Sequence, residues 1–109
     1  MTNESRKASL ANVTRRDPPK WSFLTNHAQV MLCIAHDPGA RLREIGETIG
    51  ITERATHRIV VDLVDAGYIS RERNGRRNRY TVQTDLPLHD PLTREQRIGD
   101  LLAVLQPSQ

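Results

Sequence analysis

The chain is 109 residues long, with 27% charged and only 4% aromatic side chains. This length suits one small domain, and the composition predicts a modest, mainly aliphatic core. The formal net charge of +3 favours an anionic partner, and no run of about 18 apolar residues could span a membrane. Cys33 is the single cysteine, and the first 20 residues lack a secretory signal. We therefore expect a cytoplasmic protein without membrane contact.

Positive charge is unevenly distributed along the chain. Residues 1–20 carry five basic and two acidic groups and few large apolar ones, which predicts a flexible basic arm. Residues 71–79 carry five arginines and one glutamate, so the net positive charge of this segment exceeds that of the whole chain. That segment is predicted to form a basic patch.

The first predicted helix follows the arm. Thr25 can cap a helix over about residues 26–36, which ends before the Asp-Pro-Gly at 37–39. Residues 30–35 are apolar on every side, which predicts burial on more than one face, with one face toward a partner subunit or the C-terminal helix. Trp21 and Phe23 precede this helix and are expected to dock it onto the core.

Two further helices are predicted around a tight turn. The second covers about residues 43–49, and Gly50-Ile51 forms the turn. The third covers about residues 53–66, with Thr52 placed to cap it. At 100° per residue, one face of this third helix is apolar and the opposite face carries Arg54, His57, Arg58 and Val61.

The next segment predicts a β-hairpin. Asn74-Gly75 is a strong signal for a two-residue type I′ turn, which would pair Arg73 with Arg76 and Ile69 with Tyr80. The base of the hairpin is apolar and its tip is polar and basic, so the tip is expected to project into solvent as a wing.

The C-terminal part is predicted to be a linker followed by a helix. Asp90 and Pro91 can start a helix that runs to about residue 105, with Thr93 as a competing start. Its apolar stripe either covers the core of its own domain or pairs with its copy in a homodimer. We divide the chain into a basic arm (1–20), a helical and hairpin domain (21–84), and a linker with a dimerisation helix (85–109).

These elements predict a mainly α fold with a small β-hairpin, arranged as a winged helix–turn–helix. A helix with such a basic face fits the major groove of double-stranded DNA, where arginine reads guanine. An arginine-rich wing suits phosphates or the minor groove. The predicted DNA-binding residues are Thr52, Arg54, His57 and Arg58 on the helix, and Arg71, Arg73, Asn74, Gly75, Arg76, Arg77 and Arg79 on the wing.

Other functions have weaker sequence support. A winged-helix module that binds an acidic protein and an RNA-binding wing remain alternatives, although exposed aromatic stacking residues are lacking for RNA. Cys33 and His36 stand three residues apart, but one cysteine and scattered histidines do not predict a metal site. No phosphate-binding glycine loop and no nucleophile with a plausible base are present. We expect no enzyme activity, no cofactor and no metal.

The segment from Leu42 to Tyr80 resembles the winged helix–turn–helix of MarR- and ArsR-type bacterial transcription regulators. The resemblance lies in Gly50-Ile51-Thr52 at the turn, the Ile59/Leu63 spacing, Asp65-Ala66-Gly67 before the first strand, and the basic wing. The pattern from Trp21 onward is similar to small MarR-like regulators of actinobacteria.

The resemblance implies a homodimer, through the first and last helices, that places two recognition helices in successive major grooves and usually represses transcription. It implies base-edge and nearby phosphate contacts for Thr52, Arg54, His57 and Arg58, and the wing role for residues 73–77. Typical MarR proteins are longer, with two extended dimerisation helices and an aspartate–arginine motif in the wing, and both features are missing here. A small-molecule effector site is therefore left open.

Overall fold

The computed structural model describes residues 17–93 and 95–106. Its elements, in chain order, are α1 (Asn26–His36), α2 (Leu42–Ile49), α3 (Glu53–Asp65), β1 (Ile69–Asn74), β2 (Arg77–Val82) and α4 (Ile98–Leu105). This order, three helices, an antiparallel hairpin and a final helix, confirms the predicted winged helix–turn–helix. Most of the predicted basic arm lies outside the described residues.

The core is aliphatic and is built around α1. This helix contacts α2, α3, β2 and α4, so the predicted burial of its apolar run on more than one side is confirmed. Thr25 caps α1 as predicted, accepting a hydrogen bond from the Ala28 amide at 3.1 Å. The buried apolar residues are Val30, Met31, Ile34, Ile45, Ile59, Val60, Leu63, Ile69, Tyr80, Ile98 and Leu102.

None of the described helices has the length and apolar composition needed to cross a bilayer.

Trp21 and Phe23 do not dock α1 onto the core, and that prediction is wrong. Trp21 is 61% exposed and Phe23 is 91% exposed. The two rings pack edge-to-face on each other, with their centroids 5.0 Å apart. Exposed aromatic rings are therefore present, which corrects the expectation that none is available to stack on RNA bases. Side chains of α2, α3, β2 and α4 already surround α1, and because protein cores are close-packed, the two rings lie outside the core.

The close contact between α2 and the start of α3 depends on Gly46. Its carbonyl oxygen accepts hydrogen bonds from the amides of Gly50 and Ile51, at 2.8 and 2.9 Å. Gly50 has a φ of 86°, so the predicted left-handed exit from α2 is confirmed. A Cβ atom on Gly46 would lie 2.7 Å from the Ile51 carbonyl oxygen and 2.8 Å from Thr56 Oγ1. Only glycine allows the two helices to approach this closely.

Thr52 begins α3, as predicted. Its hydroxyl oxygen accepts a hydrogen bond from the Ala55 amide at 3.0 Å, which satisfies one of the unpaired amides of the first helical turn. Its carbonyl oxygen accepts from the buried Thr56 hydroxyl at 2.9 Å. Residue 52 therefore stabilises both the start of the helix and the buried polar group beneath it.

The hairpin forms, but its register differs from the predicted one by two residues. Asn74 pairs with Arg77, Arg71 with Tyr80, and Ile69 with Val82. The two-residue turn is therefore Gly75-Arg76, with positive φ only at Gly75, as in a type II′ turn. A further hydrogen bond extends this register at the base, where Gln83 N donates to Tyr68 O. Tyr80 N donates instead to Pro38 O, which joins β2 to the loop after α1. Because the displacement is an even number, every side chain keeps its predicted face.

The last helix starts later than predicted, at Ile98. Before it, the Leu88 amide donates to the Gln96 carbonyl at 3.1 Å, and Pro87 and Arg97 form an isolated antiparallel bridge. Asp90 accepts a hydrogen bond from the Leu92 amide, which favours a turn over continued helix. Leu86 and Leu88 pack against the core, so the linker is less polar in its contacts than its composition indicated.

We expect Gly46→Ala to destabilise the fold by about 1–3 kcal/mol, since the added methyl group overpacks the contact with Ile51 and Thr56. Urea unfolding followed by circular dichroism measures this change. Glu47→Ala, an exposed change in the same helix, serves as the control and should stay within about 0.5 kcal/mol of wild type. A stability gain at Gly46, which the higher helix propensity of alanine would give at an open site, would contradict this packing argument.

We expect Thr52→Ala to lower the free energy of unfolding by about 0.5–2 kcal/mol because the first turn of α3 loses its cap. Thr52→Ser retains the capping oxygen and should behave nearly as wild type does in the same urea titration. Equal losses from both substitutions would mean that the methyl group, rather than the cap, carries the effect.

Candidate nucleic-acid interface

One exposed face of α3 is basic. Arg54, His57 and Arg58 are all exposed, and Val61 extends the same face by one turn. The opposite face is buried and includes Thr56, Ile59, Val60 and Leu63. The predicted division of the helix into a core face and a solvent face is therefore confirmed.

The basic side chains of this face have no internal partner. Among the described residues, Arg54, His57 and Arg58 take part in no side-chain hydrogen bond and no ion pair. Exposed guanidinium groups that are not paired within the protein can donate two parallel hydrogen bonds to a planar acceptor. The face can therefore engage an external anion or base edge without breaking an internal contact.

Thr52 and Glu53 lie at the start of this face. The Thr52 hydroxyl oxygen is occupied as an acceptor by the helix cap, while its O–H is free to donate. Glu53 is exposed and is the acidic residue of the first turn, where it stabilises the positive end of the helix. Thr52 was predicted to contact DNA, and its cap role is compatible with that prediction.

The five wing arginines differ in their surroundings. Arg73 Nε donates to the Gly75 carbonyl at 3.3 Å, so this side chain folds back over the turn. Arg77 Nη2 donates to the Gly39 carbonyl, 38 residues earlier in the chain, at 2.7 Å. The other three, Arg71, Arg76 and Arg79, form no side-chain hydrogen bond within the described residues, and all five are exposed.

The wing is attached to the loop between α1 and α2. Besides the Arg77 contact with Gly39, the backbone amide of Tyr80 donates to the Pro38 carbonyl at 3.1 Å. This loop runs directly into α2, so the same short segment contacts the wing and leads into the helix–turn–helix. Sequence patterns did not indicate this attachment because it joins residues far apart in the chain.

Two further arginines lie close to the wing and were not predicted to be functional. Arg41 and Arg43, at the start of α2, line a cleft together with Arg76 and Arg77 of the wing and Glu53 of α3. The one indication in the sequence that both arginines are exposed was their position on either side of the half-buried Leu42. The cleft therefore brings together positive charge from two separate parts of the sequence.

A second missed contact joins α1 to α3. His27 Nε2 donates to Asp62 Oδ2 at 2.9 Å, with both side chains about half exposed. The contact joins residues 35 positions apart in the chain, so local sequence patterns did not indicate it. It lies one turn beyond Arg58 and links the basic face of α3 to the first helix.

Cys33 and His36 do not form part of a metal site within the described residues, where no three potential ligands cluster together. Cys33 is half-buried on α1, and burial raises the pKa of its thiol above the usual value. A raised pKa disfavours the reactive thiolate, which argues against a redox-sensing role.

Comparisons with known proteins place this geometry in a family. A family model described as the MarR family matches residues 22–79, more than half of the chain. No curated protein is significantly similar in sequence. Among solved structures, the chain is similar to the Mycobacterium tuberculosis MarR family protein Rv2887 in complex with salicylic acid, with 24% identity and a TM-score of 0.47 over 70% of this chain.

The chain spans about half of that mycobacterial protein, covering 53% of its length. It is also similar to the PcaV transcriptional regulator from Streptomyces coelicolor in complex with its natural ligand, with 20% identity and a TM-score of 0.49. That match covers 93% of this chain and 71% of PcaV. The family model, which extends from just before α1 to the wing, confirms the resemblance predicted from the turn and the wing. The chain belongs to the MarR family.

Proposed function

We propose that this chain is a cytoplasmic, sequence-specific regulator of transcription that binds double-stranded DNA and acts as a repressor. The proposal rests above all on the exposed, unpaired Arg54, His57 and Arg58 of α3, beside an arginine-rich wing. Membership of the MarR family supports the same function.

In the proposed complex, α3 enters the major groove. An α-helix fits that groove, and residues of its first turns reach the base edges. Arg54 and Arg58 lie four residues apart, on the same side of the helix, so both guanidinium groups can face the bases together. His57 lies between them and can contact a base edge or a phosphate. Thr52, at the helix start, is placed to donate its O–H to a phosphate.

The wing supplies affinity. Arg71, Arg76 and Arg79 are free to neutralise phosphates or enter a minor groove, and Arg73 sits over the Gly75 turn at the tip, beside Asn74. Phosphate contacts position a protein without reading sequence. Specificity is therefore assigned to α3 and salt-dependent affinity to the wing.

Replacing Arg54 or Arg58 with alanine should relax the base preference at one position of the DNA site. The loss of binding free energy should be about 1–3 kcal/mol for each bidentate contact. Arg76→Ala should instead weaken binding to all sequences alike and reduce the slope of log K against log salt by about 1 for each bound subunit. Selection of sequences from a random duplex library, followed by titration at several salt concentrations, measures both effects.

The matched control for these variants is Arg97→Ala, an exposed arginine at the start of α4. It removes the same charge away from α3 and the wing, and it should leave preference and slope unchanged. A wild-type protein that shows no salt-sensitive binding to any duplex would remove the proposed function. Retention of an acidic protein partner after nuclease treatment, or preference for structured RNA in competition, would then identify the alternative role.

We also propose that the chain forms a homodimer through α1 and the outer face of α4. Leu101 and Leu105 of α4 are half-buried, and Val104 beside them is 80% exposed, so the apolar stripe extends beyond the surface that covers the core. Family resemblance favours a dimer, since two recognition helices can then contact successive major grooves.

Val104→Asp should convert the dimer to a folded monomer, because a carboxylate would be buried without a partner in the interface. Sedimentation velocity at micromolar concentration measures the change, and circular dichroism checks the fold. Ala103→Asp is the control, since Ala103 is exposed but lies about 100° further around the same helix. A wild-type monomer in this measurement would exclude the dimer.

A further inference from the structure

The cleft beside the wing is lined by four arginines and one glutamate. One wall is the start of α2, with Arg41 and Arg43, and the other is the wing, with Arg76 and Arg77. Glu53, at the first position of α3, is the single acidic residue that lines it. Arg41 and Arg43 are not among the residues proposed above to contact DNA.

The position of the cleft indicates its ligand, if the proposed DNA-binding function holds. The cleft lies between the start of the reading helix and the tip of the wing. In duplex DNA, a sugar–phosphate strand separates the major groove from the adjacent minor groove. With α3 in the major groove and the wing at the minor groove, the sugar–phosphate strand between the two grooves must pass over the cleft. We propose that the cleft seats this strand, with Arg41, Arg43 and Arg76 binding its phosphates.

The three arginines are available for this role. Arg41 takes part in no side-chain ion pair among the described residues, and Arg76 lies in the turn of the hairpin. Arg43 contacts only Glu47, at 3.5 Å, and both side chains are largely exposed to water. A surface pair of this kind is weak and gives way readily to a phosphate. No strong internal contact has to break when the strand enters.

Arg77 has a different role from its neighbour Arg76. Its guanidinium donates to the Gly39 carbonyl at 2.7 Å. The backbone amide of Tyr80, three residues further along β2, donates to the Pro38 carbonyl. Gly39 belongs to the α2 wall of the cleft, whereas Arg77 belongs to the wing wall. Arg77 is therefore a positioning residue, which holds the two walls at the separation that the strand requires.

The salt dependence of binding distinguishes a phosphate ligand from a positioning residue. Each phosphate contact contributes about 0.9 to the slope of log K against log salt on duplex DNA. Substitution by methionine keeps most of the side-chain stem and removes the charge. All slopes are given per bound subunit, because a dimer carries each arginine twice. We therefore expect the slope to fall by about 0.9 per subunit for Arg76→Met and by about 1.8 per subunit for the Arg41→Met/Arg43→Met double variant.

Arg77→Met should leave the slope unchanged while weakening binding by a similar factor at every salt concentration. Arg77→Lys, which can still donate to the Gly39 carbonyl, should recover part of that affinity. Arg97→Met is the control, with the affinity and slope of wild type expected. Thermal unfolding of each variant checks that it is folded at the temperature of the titration, which separates a positioning effect on affinity from a loss of folded protein.

A wild-type slope for the Arg41→Met/Arg43→Met variant would overturn the cleft as a phosphate site. A fall of about 0.9 for Arg77→Met would overturn its positioning role and make it a phosphate ligand like Arg76. Undiminished affinity of folded Arg77→Met would also overturn that role. All three results require a wild-type protein that binds duplex DNA, so they differ from failure of the proposed function, in which wild type does not bind.

Discussion

The exposed basic face of α3 depends on the contact between α2 and the start of α3 at Gly46. The absence of a Cβ atom there lets the Ile51 carbonyl and the Thr56 hydroxyl approach the α2 backbone closely. Thr56 is completely buried and is satisfied by the Thr52 carbonyl, so this polar contact is internally complete. The orientation of α3, and with it the direction of Arg54 and Arg58, follows from this contact.

A second constraint links the wing to the same unit. The loop at residues 38–40 accepts one hydrogen bond from the β2 backbone and one from the Arg77 side chain, and it continues directly into α2. Because α2 in turn contacts α3 at Gly46, the wing and α3 are both positioned relative to α2. A shift of that loop would therefore alter the spacing between the two proposed DNA contacts, with no change in any residue that is proposed to touch DNA.

The small core explains why α1 is central and why the two N-terminal aromatic rings are exposed. Aliphatic side chains from the other elements surround α1, and His27 adds a hydrogen bond from its first turn to Asp62 of α3. Trp21 and Phe23 pack on each other instead of on the core. Their exposure, together with that of Val104, leaves apolar surface at both ends of the described chain.

Local patterns were sufficient to predict most of the elements. Caps at Thr25 and Thr52, the glycine exit at Gly50 and the helical period of residues 53–65 each depend on neighbours a few positions away, so sequence alone located these helices within a residue or two. The predicted hairpin faces were also correct, since a register displaced by two residues preserves them. The basic composition of α3 and the wing likewise identified the candidate surface.

What the sequence could not supply were contacts between distant residues. The loop after α1 is joined to β2 by the hydrogen bond from Tyr80 N to Pro38 O, and α4 begins directly after the bridge between Pro87 and Arg97. The different surroundings of Arg76 and Arg77, adjacent and identical in type, arise only because Gly39 lies next to one of them. The sequence by itself determined which helices and strands form and where positive charge is concentrated, because these depend on local spacing. Only the tertiary structure decided which arginines are free and which cleft they line, because that depends on contacts between distant residues, such as that of Arg77 with Gly39, 38 positions apart in the chain.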